Sequence, residues 1–327
     1  MRALLVVLLL SSPLLADEEP SRGDMPYSFP EIALEEGWRI GSDVGLHFDW
    51  DYNQHRTGME TGHFLRLGGS LKLTATFLSG DHEWRNKIIF SQMVNKSPNV
   101  EWLVKSNDRL AVESMWLWGF GRWWGAVAQG SLETSAFSGN DFQVASATYN
   151  VSDINGTVTS FPDMTSFRLT DPFKPLYLRE ALGLFARPLN STILTWELRL
   201  TGYALQAFAN GQKQITGQDT SGISVQTLAD FYHVGPSIGS FFFGELLAKM
   251  FFYQINADAG YSAFESSARP VGAGFFDRVI FNGSAALTFK PADFVALTWE
   301  VHSAYIPEIS PSFEVDNQLF LSFPFST

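Results

Sequence analysis

Between Phe64 and Phe77 apolar and polar side chains alternate without losing phase. Leu65, Leu67, Gly69, Leu71, Leu73, Ala75 and Phe77 share one side, and Arg66, Ser70, Lys72, Thr74 and Thr76 share the other. Side chains on a strand change face at every residue, so this stretch is a strand with one greasy and one polar, partly charged face. The same design recurs along almost the whole chain, with long greasy faces that carry aromatics near their ends. That points to an all-β fold: a transmembrane, antiparallel, up-and-down β-barrel of about twelve strands, with ten or fourteen as the neighbouring even counts. A soluble sandwich also alternates, and it is the competing reading.

The first strand sets Val44, Leu46, Phe48, Trp50 and Tyr52 against Asp43, His47, Asp49 and Asp51. In the next two, Arg66 and Lys72 and then Arg85 and Lys87 form the polar sides. A fourth strand opposes Leu110, Val112, Trp116, Trp118 and Phe120 to Glu113, and a fifth opposes Trp124, Ala126, Ala128 and Leu132 to Gln129, Ser131 and Glu133. Later, Leu178, Leu182, Leu184 and Ala186 face away from Arg179 and Arg187, and Trp196, Leu198 and Leu200 away from Glu197 and Arg199. The segment from Thr227 to Gly244 is aromatic on both faces and broken by Pro236. Beyond it, Ile255 and Ala257 oppose Asn256 and Asp258, and Phe281 and Leu287 oppose Arg278 and Asn282. The last two strands oppose Leu297 and Trp299 to Glu300 and His302, and Leu319, Leu321 and Phe323 to Glu314 and Asp316. Each stretch reaches the ~9–11 residues that cross a bilayer when tilted.

The links between strands alternate in length. Long ones run over 53–63, 94–109, 134–177, 207–226 and 262–277, with a shorter one over 306–312. Tight ones lie at 78–81, 119–122, 188–191, near Glu245 and at 290–293. Short periplasmic turns and long extracellular loops are how outer-membrane barrels are organised, with an even strand count and both termini on one side. The stretch from Thr134 to Tyr177 is the longest without clear periodicity. It reads as an extracellular loop that folds into the barrel mouth as a constriction, or as a disordered one.

Met1-Arg2, the apolar run Ala3–Leu10 and a small-residue site ending at Ala16 form a secretory signal peptide over 1–16. Residues 17–36 read as a flexible periplasmic lead-in, followed by the barrel domain over 37–327. The chain has no cysteine, which excludes a disulfide framework and thiolate metal sites. A net charge of −12 without a basic stripe argues against nucleic acid. The expected surroundings are outer-membrane lipids, lipopolysaccharide and the outer-membrane assembly machinery, for a monomer without cofactor or metal.

Trp84-Arg85-Asn86, then Lys105-Ser106-Asn107-Asp108-Arg109-Leu110, and later Tyr177-Leu178-Arg179-Glu180-Ala181-Leu182-Gly183-Leu184 carry a further likeness. In these the chain resembles a family of porin-like Gram-negative outer-membrane proteins classed as a domain of unknown function. The resemblance implies an outer-membrane barrel and no activity. It departs from the usual ending of such chains, which finish on an aromatic: here Phe325 is followed by Ser326 and Thr327.

If the polar faces are luminal, they line the interior with charges of both signs. The candidates are Asp43, His47, Asp49, Asp51, Arg66, Lys72, Arg85, Lys87, Glu113, Arg179, Glu197, Arg199, Asp258, Arg278, Glu300, His302, Glu314 and Asp316. Such groups either pair into a plug or tune a selective pore. Trp50, Tyr52, Trp116, Trp118, Trp124, Trp299 and Tyr305 are the candidates for an aromatic girdle at the headgroups. No catalytic residue is assigned. Glu300 and His302 share a face, but Ser303 points the other way, so no nucleophile–base pair forms there. The expected role is a small-solute pore or a structural envelope barrel. The alternatives are a secreted sandwich that binds carbohydrate through its aromatics, and an outer-membrane hydrolase.

Overall fold

A computed structural model describes residues 36–53, 62–96, 104–121, 123–191, 193–219, 222–247, 250–266, 274–275, 278–292, 295–305 and 314–326. For 47–53, 62–66, 95–96, 104–107, 144, 218–219, 302, 304, 314–320, 322 and 324–326 the description covers the backbone alone. The segment expected as a signal peptide, 1–16, and nearly all of that expected as a lead-in, 17–36, lie outside the described residues.

The chain is all β. The strands are β1 (Gly37–Asn53), β2 (Gly62–Ser79), β3 (His82–Lys96), β4 (Val104–Gly119), β5 (Trp124–Thr134), β6 (Gly139–Ser152), β7 (Val158–Thr170), β8 (Leu176–Asn190) and β9 (Thr195–Phe208). They continue with β10 (Lys213–Asp219), β11 (Gly222–Thr227), β12 (Phe231–Leu246), β13 (Phe251–Tyr261), β14 (Phe264–Glu265), β15 (Val279–Ala292), β16 (Val295–Tyr305) and β17 (Glu314–Ser326).

Twelve long strands form one antiparallel sheet in the order β13-β15-β16-β17-β1-β2-β3-β4-β5-β8-β9-β12, and β12 also pairs with β13. The pairings therefore return to their start and make a ring without a free edge. The two ends of the chain meet in that ring, Gly41 opposite Ser326 and Leu46 opposite Leu321. At about 3.3 Å per residue and the ~40° tilt of such rings, even the eleven-residue strands β5, β13 and β16 rise enough to match an apolar band about 25 Å tall. Tight turns join β2 to β3, β4 to β5, β8 to β9 and β12 to β13 at one end. In the first of these Gly80 takes a φ of +55°, the left-handed value that a two-residue hairpin loop requires and that glycine adopts without a Cβ clash.

The stretch 134–177 is not a structureless loop. Its strands β6 and β7 join β10 and β11, from the 207–226 link, in a second sheet of order β10-β11-β6-β7. Its periodicity is hidden in the sequence because β6 and β7 are out of step at three places, including between Phe142 and Ala147. Pro162 and an Asp163 at φ +58° break β7 as well. The sheet has its own apolar core of Tyr149, Val151, Phe167, Ile223 and Val225. The segment that is aromatic on both faces resolves into the end of β11 and the long strand β12, with Pro236 on its exposed face.

Inside the ring the usual distribution of residue types is turned over. Arg85, Lys87 and Glu197 are at most 1% exposed, whereas Leu182, Leu200 and Ile238 are 69%, 61% and 59% exposed. Two apolar layers interrupt this charged interior, Met115, Leu117, Val127 and Phe185 in one and Tyr203, Leu205, Phe241 and Ile280 in the other.

Candidate functional site

The ring's interior is the candidate site, because strand alternation sends one residue in two into it and many of these are charged. Near the tight-turn end Glu83 and Arg85 enter from β3, Arg187 from β8, and Glu197 and Arg199 from β9. Arg85 donates through Nε to Glu83 at 2.6 Å, and Arg187 donates through its terminal nitrogen to Glu83 at 2.7 Å. Glu197 accepts from Arg187 Nε at 2.8 Å, from Arg199 Nε at 2.7 Å and from Arg85 at 3.5 Å. Three guanidinium groups thus share two carboxylates, all five side chains being largely withdrawn from water. Neither β8 nor β9 neighbours β3 in the sheet, so these bonds cross the interior. The Arg199 guanidinium also lies 3.9 Å from the Phe241 ring centre, and Arg187 lies 5.2 Å from that of Phe185, so the cluster is seated on the apolar layers.

More charges enter farther from the tight turns. Lys87 and Glu113 are direct register partners on β3 and β4, both buried. Arg109 pairs with Glu133 at 2.9 Å. Arg179, with its guanidinium 5.5 Å from the Tyr203 ring centre, pairs with Asp258 across two intervening strands. Asp43 and Lys72 are register partners, both half-buried, and Arg278 and Glu300 are half-buried on β15's approach and β16. The backbone sets Asp49 opposite Arg66 and His302 opposite Asp316, and Glu314 opposite Ala304. The side chains of His47, Asp49, Asp51, Arg66, His302, Glu314 and Asp316 lie outside the described residues.

Asp108 faces the second sheet. Its carboxylate accepts the N–H groups of Ala136 at 3.0 Å and Phe137 at 2.6 Å and fixes the exit from β5. Asp230 does the same for Ala209 and Asn210 at 2.8 and 2.7 Å where β9 leaves the ring. Above these anchors Tyr149 donates to Asp141 at 2.6 Å and stacks on Phe167 at 4.5 Å. That burial and the neighbouring carboxylate raise the Tyr149 phenol above its ordinary value.

On the outer face, Trp116, Trp118, Trp124 and Trp299 are exposed and Tyr305 half-exposed, while the side chains of Trp50 and Tyr52 lie outside the described residues. The sequence reading missed Trp38 and Trp84, which continue the belt: Trp38 meets Phe77 at 5.0 Å and Trp84 at 5.8 Å. Around the ring His82 stacks on Trp116 and Trp118 at 5.7 Å, and Phe120 bridges Trp118 and Trp124 at 4.8 and 5.4 Å.

A His-Ser-Glu group went unnoticed in the sequence because its members lie on three strands or their ends. His233 Nδ1 is 2.8 Å from Ser262 Oγ, which is 3.3 Å from Glu265 Oε2. Hydroxyl and carboxylate both sit on the Nδ1 side of the ring, so the carboxylate cannot orient the imidazole from the far nitrogen as a nucleophile–base relay requires. With His233 and Ser262 fully buried, the group ties the corner between β12, β13 and β14.

No protein-family model matches the chain, and no curated protein matches it. Among solved structures it is similar to Gram-negative outer-membrane β-barrels. One is an outer-membrane channel from Pseudomonas putida F1, at 11% identity and TM-score 0.40 over 90% of this chain and 97% of that one. Another is the NanC porin, at 9% and 0.38 over 86% and 98%. A third is the β-domain of the Bordetella autotransporter Brka, at 10% and 0.37 over 89% and 99%.

Proposed function

We propose that this chain is an outer-membrane β-barrel protein that passes small solutes through a charged lumen, held shut at the tight-turn end by the cluster of Glu83, Arg85, Arg187, Glu197 and Arg199. The observation that carries the reading is the reversal of faces: charges inside a ring of strands, aliphatic and indole side chains outside it. In water the exposed leucines and tryptophans would be a large aggregation-prone surface. In lipid they are the low-energy arrangement, and strand pairings that return to their start present no open sheet edge there. Its surroundings would be outer-membrane lipids and lipopolysaccharide, with insertion by the assembly machinery, as a monomer. No catalytic role is proposed.

The cluster favours a second reading, a structural barrel whose lumen never opens. Conductance in planar bilayers separates the two. The wild type is expected to conduct weakly, and Arg187→Ala, which removes one of the two guanidinium groups that both carboxylates share, to conduct clearly more. Equal, near-zero conductance of both proteins would leave only the structural barrel.

A further inference from the structure

The tight turns change in chemistry around the ring. At β2–β3 the exposed residues are Ser79, Gly80, Asp81 and His82. At β4–β5 they include Phe120, Trp123 and Trp124. At β8–β9 Leu189 and Ile193 are exposed beside Asn190 and Ser191, and at β12–β13 Leu246, Leu247 and Met250 are exposed on either side of 248–249. Polar, aromatic and then aliphatic tips thus follow one another in the order in which the strands stand in the ring.

The two aliphatic turns form one patch. Tyr253, just past the β12–β13 turn, donates through its hydroxyl to the Ile193 carbonyl at 2.6 Å. Leu189 is the register partner of Trp196, and Leu246 that of Phe251. Register partners share a face of the sheet, so both leucines stand on the same face as these rings. Trp196 stacks on Phe242 at 5.5 Å, and Phe251 meets Phe289 at 4.9 Å. The patch therefore continues the outer face of the ring down to the tips.

Leu247 is the informative member. Its φ is +53°, a left-handed value that strains a residue with a Cβ, whereas the β2–β3 turn meets the same need with Gly80 at +55°. The Leu247 side chain is also 70% exposed. In water this turn would hold an unfavourable backbone and an unburied leucine together. An apolar surrounding that the chain itself does not supply removes the second cost. A protein partner would explain one local patch, but it gives no reason for the graded change from turn to turn. A flat lipid surface meeting a leaning ring gives that reason, since indoles favour the headgroup level and aliphatic side chains lie deeper.

We propose that the β8–β9 and β12–β13 turns are immersed in the phospholipid leaflet at the tight-turn end, with Leu247 as their anchor, while the β2–β3 turn stands in water. This rests on the barrel reading above. The ring then leans, with its β8–β12 side drawn away from the water at the tight-turn end. The second sheet is carried by the links from β5 to β8 and from β9 to β12, on that same side. The lean lifts it away from the opposite membrane surface.

The chain has no cysteine of its own, so a single introduced thiol carries a single probe. Leu247→Cys, Leu189→Cys and Asp81→Cys would each be labelled with the environment-sensitive fluorophore NBD and reconstituted in phosphatidylcholine–phosphatidylglycerol vesicles. Each is then quenched by iodide on both sides of the membrane or by phosphatidylcholine bearing a nitroxide. At 247 and 189 the emission is expected to be blue-shifted, lost with a nitroxide near the headgroup and retained in iodide. At 81 it is expected to be lost in iodide and retained with the nitroxide lipid. Leu189→Cys serves if Leu247→Cys does not fold. Probes at 247 and 189 that iodide quenches as it does at 81 would overturn the immersion. So would probes there that neither quencher reaches, which would mean that a protein or a second copy covers the patch. Leu200→Cys, 61% exposed on the outer face of β9, keeps the two readings apart. Quenching at 200 by acyl-chain nitroxide without quenching at the turns removes this proposal alone, and no quenching at 200 removes the barrel reading with it.

Discussion

Glu197 is the keystone of the ionic cluster, and replacing it by glutamine tests whether that cluster holds the ring together. The side chain is wholly buried and accepts from Arg187, Arg199 and Arg85, while Glu83 has only Arg85 and Arg187. Glu197→Gln keeps the shape but leaves three guanidinium groups facing one carboxylate. Removing one partner from a buried ionic group costs roughly 3–5 kcal/mol, most of it the stranded opposite charge. At about 2 °C per kcal/mol for a chain of this size, the folded-to-unfolded midpoint on semi-native gels falls by roughly 6–10 °C. The control is Arg168→Ala in the second sheet. It breaks an ion pair with Asp171 whose side chains are 57% and 51% exposed, worth less than about 1 kcal/mol. A midpoint for Glu197→Gln no lower than that of Arg168→Ala would refute the view that the cluster is a cohesive plug.

Leu182→Arg, at a position 69% exposed, would be harmless on a soluble surface but costs about 2–4 kcal/mol on a lipid face near mid-bilayer, read as loss of folded protein in vesicles. Gly183→Ala would put a Cβ 2.1 Å from the Leu200 carbonyl oxygen and 2.6 Å from the Thr201 Cα, so β8 and β9 must part. A destabilisation of about 1–3 kcal/mol is expected on the same gels. In the β6–β7 turn the N–H groups of Thr157 and Asn155, at 2.7 and 2.8 Å, hold the Asp153 carboxyl below its ordinary pKa. Its contribution is therefore complete above the ordinary carboxylate pKa and fades as pH falls through the lowered value. The protection of the Thr157 amide, its exchange rate relative to the intrinsic rate at each pH, should fall in that acid window and lose that pH dependence in Asp153→Asn.

Much of this arrangement is legible in the sequence, for a physical reason. A ring buried in lipid on one side and packed with charge on the other imposes period 2 on every strand, so Arg85 and Lys87 against Trp84 and Ile88 can be read directly. Reading fails where the period does. Bulges hide β6 and β7, and Pro162 interrupts the second of them. On β12, inward Phe241 and outward Phe242 look alike to a hydropathy rule. The apolar layers inside the ring were not foreseen for the same cause: Met115, Leu117 and Val127 sit at inward positions where charge was expected. Alternation also gives no information on which inward charges meet. Arg187 could be placed on the polar face, but its contacts with Glu83 on β3 come from ring closure and not from local pattern.

The central claim is that the outer face of the ring lies in lipid. Six of the ten tryptophans, Trp38, Trp84, Trp116, Trp118, Trp123 and Trp124, are exposed on the first five strands or the tight turn between β4 and β5. Their fluorescence in vesicles of brominated lipids measures that contact directly. The account predicts strong quenching, greater with bromines near the headgroup than near the acyl terminus, since the belt lies at the tight-turn end. Fluorescence unchanged by either lipid, from protein that stays folded without detergent, would contradict it and leave a soluble sandwich in its place.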